Sequence, residues 1–122
     1  DTPLEIAWYD DDQLIVHSKY AKYLLLDSDN NTYSELVTPD KLIELKPSII
    51  SMASNQHSLY IATEAEVYSI NLAKMQDVEL AVQLQHLHFI SHLNANNDKL
   101  AISFVTANTQ NSIELYTKKS AE

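Results

Sequence analysis

The stretch that decides the fold is Ile6-Ala7-Trp8-Tyr9-Asp10-Asp11-Asp12-Gln13-Leu14-Ile15-Val16. It places apolar residues at alternating or adjacent positions on both sides of a run of three aspartates. Short apolar runs of this kind indicate β-strands, and clusters of Asp, Asn and Ser mark the turns between them. The stretch therefore predicts two antiparallel strands joined by an acidic turn.

The same order of strand, polar turn and strand recurs twice further along the chain. The anchor residue Leu14 is followed by Leu59 and Leu100, at offsets of 45 and 41 residues. The turns before these anchors are Ser54–His57 and Asn94–Asp98. Four-stranded propeller blades repeat about every 40–45 residues. The spacing predicts one all-β domain over residues 1–122, with blade-like repeats at about 4–37, 49–84 and 87–117.

Three antiparallel blades form an open or partial propeller, because propellers close with about four to eight blades. The uncovered edges would need missing sequence, self-association or a protein partner. The segment Thr38–Pro47 predicts a long connection between the first two blades, in which one helical turn fits. A β-sandwich is the alternative fold, since its strands follow one another at similar spacing.

Composition favours a folded, acidic chain. Apolar residues make up 45% of the 122 residues, which is enough for a hydrophobic core. The formal net charge is −9, and all eight basic residues are Lys. A chain with this charge is repelled by nucleic-acid phosphates and by anionic lipid. We therefore expect no direct contact with nucleic acid, and a membrane association only through an anchor outside this sequence.

The absent residue types exclude several kinds of site. The chain has no Cys, which excludes disulfides, thiol catalysis and Cys-bound metals. It also has no Gly, which excludes Gly-rich phosphate loops and the nucleophile elbow. We expect no cofactor and no enzymatic activity. Backbone positions that need a positive φ are expected to be taken by Asn or Asp.

Histidine supplies one candidate site. On a strand, His86 and His88 would share one face, while Leu87 and Phe89 would face the core. Together with His92 they predict a surface that could sense pH or bind zinc or copper. The alternative is a solvated strand face without a function.

Aromatic residues supply a second candidate. Trp8, Tyr9 and Tyr20 lie in or beside turns and are predicted interface residues, because Trp and Tyr anchor protein interfaces. The alternative is packing within the blades.

The segment Asp27–Asn31 begins like a calcium loop, but Thr32 stands at the sixth position and Thr38 at the twelfth. It is therefore predicted to be an Asx turn.

The opening hairpin resembles a blade of a TolB-like or WD40-like propeller, which runs apolar-x-Trp-Ser-Pro-Asp-Gly-x-x-apolar. Trp8 and Asp11 match that pattern, while Tyr9-Asp10 replaces Ser-Pro and Asp12 replaces Gly. The stretches Asn97–Ile102 and Ser112–Tyr116 resemble the corresponding turn and strands of a later blade. Repeats of this sort occur in the periplasmic part of membrane-anchored transcriptional regulators of the CadC/ToxR type.

That resemblance implies a non-enzymatic sensor or interaction domain, located in the periplasm. The alternative function is a protein-interaction scaffold within a larger WD40-type propeller, and the alternative compartment is the cytoplasm. The chain begins at Asp1 without a signal peptide or a long apolar run, which predicts an excised or processed piece whose anchor lies elsewhere.

Overall fold

The computed structural model describes residues 3–10, 12–18, 23–27, 29–35, 40–45 and 49–117. Within these ranges the chain forms three antiparallel sheets and one short helix. Each sheet is an up-and-down meander, in which every strand pairs with its neighbours along the chain. This confirms the all-β, blade-like prediction over the β-sandwich alternative.

The first blade is the sheet β1-β2-β3-β4, and the short helix α1 follows it. The helix lies in the segment predicted to connect the first two blades. The residue ranges are β1 (Pro3–Trp8), β2 (Gln13–Ser18), β3 (Leu24–Asp27), β4 (Thr32–Glu35) and α1 (Asp40–Leu45).

The second blade is the sheet β5-β6-β7-β8, and the third is β9-β10-β11. In the part of the chain that the structure describes, the third blade has three strands and β11 pairs with β10 only. The ranges are β5 (Ser51–Ser54), β6 (Ser58–Ala62), β7 (Glu66–Asn71), β8 (Lys74–Gln83), β9 (Phe89–Ala95), β10 (Lys99–Val105) and β11 (Asn111–Thr117).

In the middle blade, strand β6 and most of β7 are buried on both faces. All five residues of β6 are buried, because successive side chains point to opposite faces and each face is covered by a neighbouring blade. Leu59 and Ile61 pack toward the first blade, whereas Tyr60 and Ala62 pack toward the third. The three anchors lie at matching places in the second strand of each blade, and Leu59 and Leu100 are fully buried.

The core is divided into two seams between blades. The first seam joins blades one and two through Ala7, Ile15, Tyr23, Met52, Leu59, Ile61, Tyr68, Ile70 and Leu72. The second seam joins blades two and three through Tyr60, Ala62, Val67, Leu84, Ile90, Leu93, Leu100, Ile102 and Phe104.

The prediction for the start of the third blade was wrong in its register. Strand β9 begins at Phe89, and residues 84–88 form the connection from the second blade, closed by the His88 N–H donating to the Gln85 carbonyl at 3.0 Å. Leu87 and Phe89 are 49% and 40% exposed rather than in the core. A bulge in β9 places Ile90 and Leu93 on the buried face, so Phe89 projects from the opposite one.

The expectation that Asn or Asp would occupy every positive-φ position was also only partly right. Asn31 does so at φ 52°, in the turn between β3 and β4. Leu87 at φ 64° and Thr109 at φ 60° do so as well. These turns are made without the residue types that tolerate the left-handed region best.

Candidate functional site

The first hairpin turns of the three blades are built in the same way. Asp10, Asn55 and Asn96 occupy the same place, each four residues before its leucine anchor. In every case the side-chain oxygen Oδ1 accepts the N–H of the residue two positions on, at 2.9, 2.8 and 3.2 Å respectively. This is the Asx turn, which replaces the glycine-dependent turn that this chain cannot make.

A hydrogen bond connects two of these turns across the second seam. The Nδ2 of Asn55 donates to the carbonyl oxygen of Asn96 at 3.0 Å, while its Oδ1 accepts the N–H groups of His57 and Ser58. A single amide thus shapes its own turn and fixes the position of the next blade's turn. Asn96 likewise accepts the N–H of Lys99 at 2.9 Å.

The three turns converge on one cavity of about 560 Å³, which we call the turn cleft. Each blade contributes three consecutive residues to it. The lining is Trp8, Tyr9, Asp10, Ser54, Asn55, Gln56, Ala95, Asn96 and Asn97.

The chemistry of the turn cleft is that of a polar binding site with an aromatic wall. Four carboxamides supply donors and acceptors, and Tyr9 packs its ring against the first seam. Asp10 is the one formally charged residue among the described residues that line the cleft. An exposed carboxylate, amide oxygens and an aromatic ring together favour a ligand that is cationic and rich in hydrogen-bond donors.

The predicted interface residues divide between this site and its surroundings. Trp8 and Tyr9 both line the turn cleft, and Trp8 is also 53% exposed. Tyr20 lies outside the described residues. The amides Asn55, Gln56, Asn96 and Asn97 were not predicted as site residues, although the repeat spacing had already placed their turns in register.

The histidines do not form one strand face. His86 is exposed in the turn that connects the second and third blades. His88 follows that turn, and its ring stacks on Phe104 with 5.3 Å between ring centroids. The strand geometry predicted for His86 and His88 is therefore wrong, because β8 ends at Gln83 and β9 begins only at Phe89.

His92 lies in β9, beside the inner strand of the second blade. Its Nδ1 is 3.5 Å from the Oγ of Ser51, and that hydroxyl accepts the N–H of Leu93 at 3.1 Å. The imidazole therefore adjoins a buried hydrogen bond of the second seam. Among the described residues, no group of three or more His, Asp or Glu side chains is placed to hold a metal ion. A pH-sensing or metal-binding role for the three histidines stays a prediction.

Two further turns use the same local chemistry outside the cleft. Asn71 Oδ1 accepts the N–H groups of Ala73 and Lys74 between β7 and β8. Asp27 accepts hydrogen bonds from the Asn30 side chain and from the N–H groups of Asp29 and Asn30, which lower the pKa of its carboxyl group. The segment from Asp27 is thus an Asx turn, as the sequence predicted.

The helix found in the described ranges is too short and too polar to cross a membrane.

Comparison with known proteins identifies the fold. No protein-family model matches the chain, and no curated protein matches it. A chain in an S. cerevisiae complex of a Dbp5 variant with Nup159, a Gle1 variant, IP6 and ADP is similar, with a TM-score of 0.53 at 11% identity. The N-terminal domain of Nup159 is similar with a TM-score of 0.51 at 13% identity. PorZ, a surface component of the type-IX secretion system of Porphyromonas gingivalis, gives 0.52 at 10% identity.

These similarities cover nearly all of this chain but only part of each neighbour. They extend over 94%, 97% and 99% of the chain, which spans 34%, 31% and 21% of the respective neighbours. The neighbours are propeller-like proteins. The fold of the described residues is therefore that of a run of propeller blades that does not close into a ring.

Proposed function

We propose that this chain is a non-enzymatic interaction domain that holds a cationic segment of a protein partner in the turn cleft. The observation that carries the proposal is the convergence of three equivalent Asx turns on one cavity. Repeat proteins build extended binding surfaces from equivalent loops, because stacking brings those loops to the same side of the molecule.

Charge supports a basic ligand. The formal net charge of −9 attracts cations over a distance, and Asp10 supplies a negative charge at the cleft itself. The Oδ1 of Asp10 is used by the turn, accepting the Asp12 N–H. A Lys or Arg side chain would approach the outer part of that carboxylate, with the Tyr9 ring available for a cation–π contact.

The chemistry of the cleft supports binding rather than catalysis. General acid–base or nucleophilic catalysis needs a positioned pair, such as a nucleophile with its base. Of the described lining residues, only Tyr9 and Asp10 carry side chains that ordinarily titrate, and Asp10 is engaged in its turn. The amides that complete the cleft are binding groups.

The fold-level comparisons support an interaction role in general terms. One similar chain belongs to a complex of several proteins, and another belongs to a bacterial surface component. The finer role we propose is the periplasmic, sensory part of a membrane-anchored transcriptional regulator, supported by the blade motif around Trp8. The alternative role is a scaffold segment of a larger WD40-type propeller in the cytoplasm. The sequence that precedes the blades in the full-length protein would distinguish the regulator from the scaffold.

Peptide titration tests the binding proposal. The probes are capped peptides of equal length that differ only in Lys, Arg, Glu or Gln content, followed by amide NMR shifts of the labelled chain. We expect the basic peptides to shift Asp10, Gln56 and Asn97, and we expect the affinity to fall as salt rises.

Asp10→Asn is the informative variant, because it keeps the turn acceptor and removes the charge. It should weaken binding of the basic peptides about 3- to 10-fold, because the loss of one partly exposed ion pair changes the binding free energy by that amount. Asp77→Asn, which removes a charge beside Lys74, is the matched control. Equal affinity for basic and acidic peptides, or equal effects of the two variants, would show that the cleft does not select cations.

A separate experiment tests the sensing role. Imidazoles titrate between about pH 5 and 8, and protonation of His92 would place a charge beside the Ser51–Leu93 hydrogen bond. We expect the amide shifts of Leu93 and Ser51 to change when the pH is lowered from about 8 to 5. If those amides do not respond over this pH range, the histidine version of the sensor is wrong.

A further inference from the structure

The two seams differ at the turns that meet in the turn cleft. In the second seam, the Nδ2 of Asn55 donates to the carbonyl oxygen of Asn96 at 3.0 Å. Asp10 holds the place of Asn55 in the first blade, and a carboxylate only accepts hydrogen bonds. The side chain that joins the second turn to the third therefore has no counterpart that could join the first turn to the second.

The three turns are otherwise built alike. The N–H groups of Asp10, Asn55 and Asn96 each donate to the carbonyl oxygen three residues on, at 3.4, 3.0 and 3.0 Å. In all three, the side-chain Oδ1 accepts the N–H two positions on. The atom of Asp10 that corresponds to the donor Nδ2 is thus Oδ2, and the corresponding acceptor is the Asn55 carbonyl oxygen. Where the second seam pairs a donor with an acceptor, the first seam has two acceptors.

The first turn also has one additional residue. Five residues, 9–13, separate the paired ends of β1 and β2, whereas four residues, 55–58, separate those of β5 and β6. The additional residue is Tyr9, which directly precedes Asp10, packs against the first seam and lines the cleft. Both differences bring cation-binding groups, a carboxylate and an aromatic ring, to the junction that lacks a donor.

We propose that a lysine ammonium group of the basic partner segment takes the place of the missing donor and bridges the Asp10 Oδ2 and the Asn55 carbonyl oxygen. This inference rests on the proposed function and names the cation and its two acceptors. An ammonium group carries three N–H donors around one small charge, so it can serve two acceptors at once. The bound lysine joins the first two turns as Asn55 joins the second and third.

The hydrogen bonding of Asp10 favours lysine over arginine. A guanidinium group gains most when its two parallel N–H donors meet both oxygens of a carboxylate. The Oδ1 of Asp10 already accepts the Asp12 N–H at 2.9 Å, so this two-point contact is compromised. The compact ammonium group needs only the Oδ2. Trimethyl-lysine keeps the charge but has no N–H donor, so it cannot form the bridge.

Three capped peptides that differ only in one central residue, Lys, Arg or trimethyl-Lys, test the bridge on the unmodified chain. We expect the Lys peptide to bind at least ~5-fold more tightly than the trimethyl-Lys peptide, because charge-assisted hydrogen bonds are lost, and more tightly than the Arg peptide. Equal affinities would show that the cleft selects charge alone, which overturns the bridge and leaves the proposed function standing. If no basic peptide binds better than an acidic one, both are wrong.

Asp10→Asn tests the same junction without a ligand, because the new amide brings a donor of its own. We expect its urea midpoint to rise above that of the unmodified chain at about 1 M salt, where charges are screened beyond ~3 Å. Asp77→Asn removes a charge outside the cleft and should leave the midpoint unchanged. In Asp10→Asn the preference for Lys over trimethyl-Lys should also disappear. An unchanged or lower midpoint would mean that Asp10 does not stand opposite the Asn55 carbonyl, and the bridge would be wrong.

Asn55→Asp makes the converse change, since it gives the second seam two facing acceptors. We expect peptides with a second lysine, one to four residues from the first, to include one that gains at least ~3-fold in affinity for this variant over the unmodified chain. Asn71→Asp adds the same charge to a turn outside the cleft and should give no gain. Circular dichroism checks that both variants fold. A folded Asn55→Asp chain without this gain would contradict the bridge, because a carboxylate opposite a carbonyl oxygen would then not suffice to hold an ammonium group.

Discussion

Ser51 and Leu93 lie 42 residues apart and are joined by a buried hydrogen bond across the second seam. The Oγ of Ser51 accepts the backbone N–H of Leu93 at 3.1 Å, and both residues are almost fully buried. This bond connects the inner strands of two blades and not two strands of one sheet. It holds the blades in register at a place where apolar packing alone would permit sliding.

Replacing Ser51 with Ala should therefore destabilise the chain. The buried Leu93 N–H would lose its acceptor, which costs about 1–3 kcal/mol of unfolding free energy. Urea unfolding at a fixed protein concentration measures the change. Ser34→Ala, at an exposed strand serine, should stay within about 0.5 kcal/mol of the unmodified chain. Equal effects of the two substitutions would contradict a special role for Ser51.

The Asn55–Asn96 bond can be separated from the Asx turn that Asn55 also makes. Asn55→Asp keeps the Oδ1 acceptor of its turn but removes the Nδ2 donor to the Asn96 carbonyl. We expect a loss of about 0.5–1.5 kcal/mol, the usual net contribution of one hydrogen bond. Asn71→Asp makes the same chemical change in the turn between β7 and β8 and should cost less. Chemical denaturation of both variants gives the comparison.

The positive φ of Thr109 predicts a stabilising substitution. A β-branched residue at φ 60° is strained, and glycine removes the clash between its Cβ and the backbone. Thr109→Gly should raise the unfolding free energy by about 0.5–1 kcal/mol, because the relief exceeds the added chain entropy. Asn31→Gly should have almost no effect, since Asn tolerates φ 52°. A thermal melt of each variant tests the difference.

Burial raises the pKa of the Tyr23 phenol well above its usual value. Because the folded chain holds this proton more tightly than the unfolded chain, the resulting stability is fully present below about pH 10. It is lost as the pH rises from there through the folded-state pKa. Stability should therefore fall in the alkaline range, and Tyr23→Phe should reduce the steepness of that fall. Tyrosinate absorbance recorded with circular dichroism would show whether ionisation and unfolding coincide.

The turn at Asp27 has the opposite pH behaviour. The Asn30 side chain is the main cause that lowers the pKa of the Asp27 carboxyl group, followed by the N–H groups of Asp29 and Asn30. Its contribution to stability is present above the unfolded-state pKa and is lost as the pH falls through the folded-state pKa. Asn30→Ala should raise the pKa of Asp27 in an NMR titration of the side-chain carboxyl.

Much of the fold could be predicted from the chain alone, because blade structure is set by local patterns. Leu14, Leu59 and Leu100 fix the repeat, and Asp and Asn clusters mark turns at the same place in each copy. The prediction that failed was the start of the third blade's first strand, around His86. A short apolar stretch such as residues 87–90 is compatible with a strand starting at any of its positions. The bulge that decides which face Ile90 and Leu93 occupy depends on pairing with β10.

The candidate site was predicted only in part, for a related reason. Trp8 and Tyr9 stood out because of their residue type. Asn55, Gln56 and Asn97 did not, since amides in turns are common and most serve only the turn. Their importance comes from the position of three turns around one cavity, which no local pattern contains.

The sequence by itself determined the strands, the Asx turns and the spacing of the blades, because alternation, turn chemistry and repeat length act over a few residues at a time. The tertiary structure alone decided that Asp10, Asn55 and Asn96 meet at one cleft, and that Val67 is buried while its counterpart Ile113 is exposed. Burial of a strand face depends on the presence of the next blade, and the sequence of one blade does not specify what lies beside it.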